Sequence, residues 1–355
     1  MKLGLRRVEA RYLVILCLIS ILELSLGFGR VTDDSPMYTS VSLFLAGRAQ
    51  EYHPIGIYRP LVAFLSSLLL PFVELNVAFG IVNSCLWLLT TLLLFFFSRD
   101  LLLDDELAFY SSLMFTSAPT LIIFGSAVMV DMECYFFLLL SAFLIRYADQ
   151  SRRVRDLLAT PLVMGLAILT KELLYCVVLM FLLMELSGSR SWRRVVVVVA
   201  LTSLLVALWY LPLHLNPLSR WLESHHPSLV TGTRLSRFLG LGRLSASVLR
   251  SMGMAAPLAL LGFIVEPDNE NLRFYYAFFA SIFFTLALCP IHERFTFMLF
   301  PCVFTLASRG LRWFSKKLTE KPVFSAIPSR GYELLIMAIY FIASNHQAYA
   351  ALHPS

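Results

Sequence analysis

The stretch GRVTDDSPMYTSVSLFLAGRAQEYHPIGIYRP, residues 29–60, is the most polar part of the first third of the chain. It holds residue types suited to proton transfer beside an anion. Asp33 and Asp34 are adjacent carboxylates, and Tyr38 lies a few residues further on. Tyr58-Arg59-Pro60 closes the stretch with a guanidinium, a group that grips phosphate through two hydrogen bonds. A carboxylate in apolar, basic surroundings can accept a proton from a hydroxyl. A plainer reading fits the same residues. Asp34-Ser35-Pro36 is a helix-start signature, with Asp or Ser as cap, Pro in the first turn and an acid complementing the helix dipole. An arginine at a membrane boundary can equally be snorkelling. On the residues alone, capping and chemistry are evenly matched.

The elements that must position these groups are membrane helices. The 355 residues are 58% hydrophobic and only 15% charged, with mean hydropathy +0.75. A soluble domain of this length needs more polar surface than that. Apolar runs of roughly 15–22 residues recur, about the length that crosses a hydrocarbon core. They are continuous rather than alternating, which points to helices and excludes an outer-membrane barrel. The runs fall near residues 12–28, 76–97, 107–124, 130–145, 157–169, 173–186, 195–211, 246–265, 274–288, 294–307 and 332–343. The expectation is an all-α integral membrane protein of about eleven transmembrane helices, forming one polytopic domain over residues 1–355.

Charge sets the orientation. Lys2, Arg6, Arg7 and Arg11 precede the first run, which lacks a small-residue cleavage site and reads as an uncleaved first helix with a cytoplasmic N-terminus. Alternating sides from there puts most of the 29 Lys and Arg residues on the cytoplasmic side, as the positive-inside rule requires. The net charge of +6 is therefore a topology signal, and nucleic acid drops out as a partner. Residues 29–75 become the first outer loop. Within it residues 37–50, with Met37, Val41, Phe44 and Leu45 on one face, read as an interfacial helix, and residues 60–74 as a second. Asp131, Lys171 and Arg294 fall at outer ends of spans, where each can serve either a substrate or the span itself. For Asp131 the plainer role is to cap its span, and for the cations it is to anchor at the boundary.

Residues 212–245 form a long outer loop, and the stretch from it to residue 250 carries Arg220, Arg234, Arg237, Arg243 and Arg250 against the charge trend. Lipid headgroups explain these slightly better than an anionic substrate does. All seven histidines lie on the outer side, but His225-His226 and His292-Glu293 lack metal-ligand spacing, so no metal and no cofactor is expected. The six cysteines lie within or at the ends of apolar runs and read as small core hydrophobes. Glu23, inside the first run, is a buried-acid candidate for a supporting role.

Taken in order, these features resemble the GT-C class of polytopic glycosyltransferases, which use polyprenyl-phosphate-linked sugars. The likeness is to the branch of protein O-mannosyltransferases and lipid A aminoarabinose transferases. Asp34-Ser35-Pro36-Met37-Tyr38 matches that branch's Asp-x-x-x-Tyr motif, and Tyr58-Arg59-Pro60 its basic-Pro element. VMVDMECYFFLLL supplies the acid opening the fourth span as Asp131. GLAILTKELLY matches the Gly-Leu-x-x-Leu-Thr-Lys element and gives Lys171, while ERFTFMLFPCVFTLASRGL matches the late arginine-aromatic span and gives Arg294. Two departures stand out. The family writes Asp-Glu where this chain has Asp33-Asp34-Ser35, and many relatives carry a soluble C-terminal domain after the last span. Acceptor recognition is therefore expected to rest on outer loops and the membrane.

The resemblance implies an inverting membrane glycosyltransferase acting on the outer or luminal face. The donor would be a polyprenyl-phosphate sugar, the acceptor a hydroxyl on a lipid, glycan or protein, and the surrounding partners membrane lipids. Asp34 would be the base, with Asp33 as its substitute. Arg59, Lys171 and Arg294 would bind phosphate, and Tyr38, Tyr58 and Asp131 would contact substrate. The alternative is a lipid or solute transporter or flippase, or a relative without catalysis. Transporters place paired charges at the bilayer midplane and often show inverted repeats. Here the span centres are nearly uncharged and no repeat is visible.

Overall fold

The computed structural model describes residues 7–151, 154–187, 192–213, 251–265, 269–287 and 293–353. Every regular element among them is helical. The helices are α1 (Arg7–Gly27), α2 (Ser35–Leu45), α3 (Pro60–Ser67), α4 (Leu75–Leu102), α5 (Asp105–Thr116), α6 (Pro119–Phe124), α7 (Asp131–Ser151), α8 (Val154–Thr170) and α9 (Cys176–Leu186). They continue with α10 (Trp192–Tyr210), α11 (Ala255–Ile264), α12 (Asn269–Ala287), α13 (Phe300–Thr319) and α14 (Ser329–Leu352). Within the described residues, Glu9–Gly27, Leu75–Leu102 and Trp192–Tyr210 are long and apolar enough to cross a membrane alone, while Leu158–Thr170, Leu173–Leu186 and Ala255–Ile264 are shorter apolar helices.

Two sequence expectations are corrected by backbone chemistry. The run 107–124 is two helices, not one. Pro119 has no N–H to continue the ladder, and Ala118 before it takes an extended conformation, φ −68° and ψ 129°. The helix expected over 37–50 is α2, Ser35–Leu45, which starts earlier and stops sooner. Gly47, at φ 69°, turns the chain in the left-handed region that glycine tolerates.

Packing inside such a bundle depends on close approach and hydrogen bonds between helices. Among the described residues, α11 crosses α13 with a glycine on each side of the contact. A Cβ at Gly262 would strike the Leu306 carbonyl, and one at Gly310 would strike that of Leu258. Ser98 of α4 bonds Ser111 of α5 at 2.9 Å and Thr305 of α13 at 2.8 Å, a chain of hydroxyls through the core. At one end of the bundle Arg312 ties together Asp104, Glu106 and Glu333. In the same region Arg99 meets Glu9 at 3.0 Å. The opposite end, where α1 finishes and α7 begins, holds the candidate site.

Candidate active site

The floor of the site is a pair of loops joined by backbone. After α1, Gly29 adopts φ 65° and its N–H donates to the Ser126 carbonyl at 3.1 Å. The Val128 N–H donates to the Arg30 carbonyl at 2.9 Å. Ser35 accepts the Thr32 N–H at 2.7 Å and donates its hydroxyl to Val128 O at 2.9 Å. From beneath, the Asn83 amide of α4 donates to Ala127 O at 2.6 Å and Met129 O at 2.9 Å. The segment that opens α2 and the segment that opens α7 are therefore one unit. They deliver Asp34 and Asp131 to the same end of the molecule.

The expected side-chain cap is not what the aspartates provide. Asp34 sits at the N-cap of α2 with helical backbone angles and makes no side-chain cap bond. Ser35 makes the local turn bond instead. Asp34 is half-buried and Asp33 exposed.

Tyr38, one turn into α2, is buried. Its hydroxyl accepts from Arg59 Nη1 at 3.0 Å. Arg59 reaches it because a short 3-10 turn, Gly56–Tyr58, lies against α2. Gly56 packs on the Met37 carbonyl with no room for a Cβ. Arg59 then becomes the N-cap residue of α3, with Pro60 in the first turn. The same turn is gripped by the end of α10. Trp209 Nε1 donates to Ile57 O at 3.2 Å, and the Tyr210 hydroxyl donates to Tyr58 O at 3.0 Å. The Tyr58 ring stands 5.7 Å from that of Tyr210, so both ends of Tyr58 serve this junction.

Behind Tyr38, Lys171 follows α8 and extends its ammonium to Asp131 Oδ1 at 3.0 Å, with each side chain 4% exposed. Burial is the largest influence and works against the lysine charge, but Asp131, with Cys134 and Tyr38 adding to it, outweighs burial and the net direction of its pKa is upward. The ammonium also faces the Phe297 ring at 5.9 Å. Burial pushes the Tyr38 phenol up, and the cations of Arg59 and Lys171 pull it only part of the way back. Tyr38 therefore keeps its proton while accepting from Arg59, and Tyr38, Arg59, Asp131 and Lys171 share one electrostatic environment.

Arg294 lies in the 3-10 helix Glu293–Leu299, which also carries Phe297. Its side chain falls outside the described residues, as do residues 214–250, covering nearly all of the expected arginine-rich loop 212–245, together with His225-His226 and His292. Sequence reading missed Ser35 as a tether, Asn83 as a latch and the Trp209–Tyr210 pair as a brace. Asn83 had a signal: an amide in an apolar run needs partners.

A cavity of about 320 Å³ lies between α8, α9 and α10, lined by Ile168, Val178, Val199, Thr202, Val206 and Tyr210. Tyr210 forms part of its wall and touches the Arg59 turn from the other side.

The backbone as a whole superposes on known enzymes. Archaeal oligosaccharyltransferase AglB from Archaeoglobus fulgidus, solved with an inhibitory peptide and a dolichol-phosphate, matches with TM-score 0.65 and 13% identity over 98% of this chain. ArnT from Cupriavidus metallidurans matches over 97% of this chain in two states. Bound to undecaprenyl phosphate it gives TM-score 0.63 at 15% identity, and in the apo state 0.61 at 16%. The fold is that of the GT-C glycosyltransferases. The chain spans 56% of the AglB chain and 71% of ArnT. Over residues 53–215 it matches the family described as dolichyl-phosphate-mannose-protein mannosyltransferase. No curated protein matches it in sequence.

Proposed function

We propose that the chain is a membrane glycosyltransferase that moves a sugar from a polyprenyl-phosphate donor to an acceptor hydroxyl. The observation that carries this reading is the cluster of Tyr38, Arg59, Lys171 and Asp131, one turn of α2 from the half-buried Asp34. The dolichol-phosphate and undecaprenyl phosphate held by the GT-C neighbours support the donor class.

In this reading the donor phosphate lies against Arg59. Lys171, held by Asp131, adds positive charge from behind, and Arg294 is a further phosphate ligand. Tyr38 keeps Arg59 directed and retains a proton to donate. The Asp34 carboxylate takes the proton of the acceptor hydroxyl, with Asp33 next to it in sequence. The acceptor oxygen bonds to the anomeric carbon as that carbon's bond to the phosphate oxygen breaks. Polyprenyl phosphate leaves with the electron pair, and the configuration inverts. Positive charge placed where the phosphate charge develops is what such a step most needs. The apolar cavity beside Tyr210 suits the isoprenoid chain next to the phosphate site. The whole chain acts as one polytopic unit of about eleven spans, with α2 and α3 lying in the interface, the N-terminus cytoplasmic and the site on the outer or luminal side, as the distribution of Lys and Arg supports.

The test is transfer of labelled sugar from a polyprenyl-phosphate donor in membranes carrying wild type, Asp34→Asn or Asp33→Asn. Loss of transfer only in Asp34→Asn, at unchanged expression, is expected. Full activity in that variant sinks the assignment. Loss only in Asp33→Asn moves the base by one residue.

A further inference from the structure

The 3-10 turn Gly56–Tyr58 runs through Arg59 into α3, and Pro60 in the first turn of α3 leaves its bonding incomplete. In a 3-10 ladder the Ile57 carbonyl would accept from residue 60, and proline has no N–H to give. The Tyr58 carbonyl precedes the N-cap Arg59, and so stands before the first acceptor of the helix's own ladder. Two consecutive side chains at the end of α10 supply the donors. Trp209 Nε1 reaches Ile57 O at 3.2 Å, and the Tyr210 hydroxyl reaches Tyr58 O at 3.0 Å. The peptide held by the second bond joins Tyr58 to Arg59, whose guanidinium goes on to Tyr38 at 3.0 Å.

Tyr210 has a second task. It is buried, and it lines the cavity of about 320 Å³ together with Ile168, Val199, Thr202 and Val206. One residue thus forms part of an apolar wall and holds, by its hydroxyl, the backbone that presents Arg59. Trp209 makes the companion bond to the same turn.

We propose that Tyr210 is a positioning residue that joins the two halves of donor recognition: an isoprenoid chain in the cavity fixes the Tyr210 side chain, and its hydroxyl fixes the Arg59 guanidinium for the phosphate. The proposal rests on the reading of Arg59 as the phosphate ligand and of the cavity as the place of the chain. It makes the grip on phosphate tighter when the phosphate carries a lipid chain.

The test measures binding of a polyprenyl phosphate and of the matching polyprenol to the full chain in lipid nanodiscs, with a thermal midpoint recorded for every variant. The ratio of the two affinities reports what the phosphate contributes. Y210F keeps the ring and loses the hydroxyl. It is expected to lower the ratio about threefold to tenfold, the scale of one hydrogen bond, with polyprenol affinity unchanged. R59A is expected to lower the ratio at least as far, and R59A/Y210F no further than R59A alone. V206F, which fills the cavity, is expected to weaken polyprenol binding and to lower the ratio as well. W209F replaces Y210F, with the same expectation, if the latter is not recovered folded. A wild-type ratio in Y210F beside a lowered ratio in R59A overturns the proposal, and so does additivity in the double variant. Equal weakening of both ligands in Y210F overturns it too, because Tyr210 would then be wall alone. Weakened polyprenol at an unchanged ratio in V206F removes the coupling between chain and phosphate. A wild-type ratio in R59A marks failure of the phosphate reading itself, and wild-type polyprenol binding in V206F marks failure of the cavity reading; the role of Tyr210 falls with either.

Discussion

The ammonium of Lys171 and the carboxylate of Asp131 lie 3.0 Å apart, 40 residues apart in sequence, with both side chains out of water. Removing one member of such a pair strands the other charge, which costs about 3–5 kcal/mol, whereas replacing both by apolar groups is often neutral. Asp131→Leu and Lys171→Met are each expected to lower the thermal midpoint in detergent sharply. The double variant should recover most of that loss and still transfer no sugar. A double variant with wild-type transfer would show that the pair only holds the fold.

Tyr38→Phe should leave folding nearly intact, because the ring stays in place. It removes the acceptor for Arg59 Nη1, a charge-assisted bond worth about 1.5–3 kcal/mol. The expected result is a drop in kcat/KM for the donor of roughly ten- to a hundredfold, measured by titrating the polyprenyl-phosphate sugar.

Asn83 acts at a distance. Asn83→Leu keeps the volume of α4 but leaves the Ala127 and Met129 carbonyls without their donor. Two lost buried bonds amount to about 2–4 kcal/mol. Because the loop they hold joins both acidic segments, transfer is expected to fall further than the thermal midpoint does. Circular dichroism melts run beside the transfer assay check this.

Gly310→Ala probes the bundle away from the chemistry. The added methyl meets the Leu258 carbonyl and α11 must move, an overpacking cost of about 1–3 kcal/mol. The thermal midpoint should drop while donor affinity in the surviving folded protein stays within about twofold of wild type. A midpoint at the wild-type value would show that α11 and α13 separate at little cost.

Much of this arrangement was legible because membrane chemistry restricts the alternatives. Long apolar runs had to be helices, and Asp34-Ser35-Pro36 marked the start of the helix that carries Tyr38. Loop charges grouped Asp131 and Lys171 at the same end. What the sequence could not supply was pairing. Nothing local says that Arg59 meets Tyr38, since the contact depends on a 3-10 turn seated against α2 by the absence of a side chain at Gly56. Nor could the sequence decide between Asp34 and Ser35 as the cap of α2. Asp34 makes no side-chain cap bond, and Ser35 is tethered to Val128, more than 90 residues away. Pro119 announced a break inside 107–124, but hydropathy averaged over the run concealed it.

The end of α10 holds the turn before Arg59 at two points, Trp209 on the Ile57 carbonyl and Tyr210 on that of Tyr58. The backbone that sets the Arg59 guanidinium is thus anchored by a helix 152 residues further along the chain, and a change at either aromatic reaches the arginine without touching it.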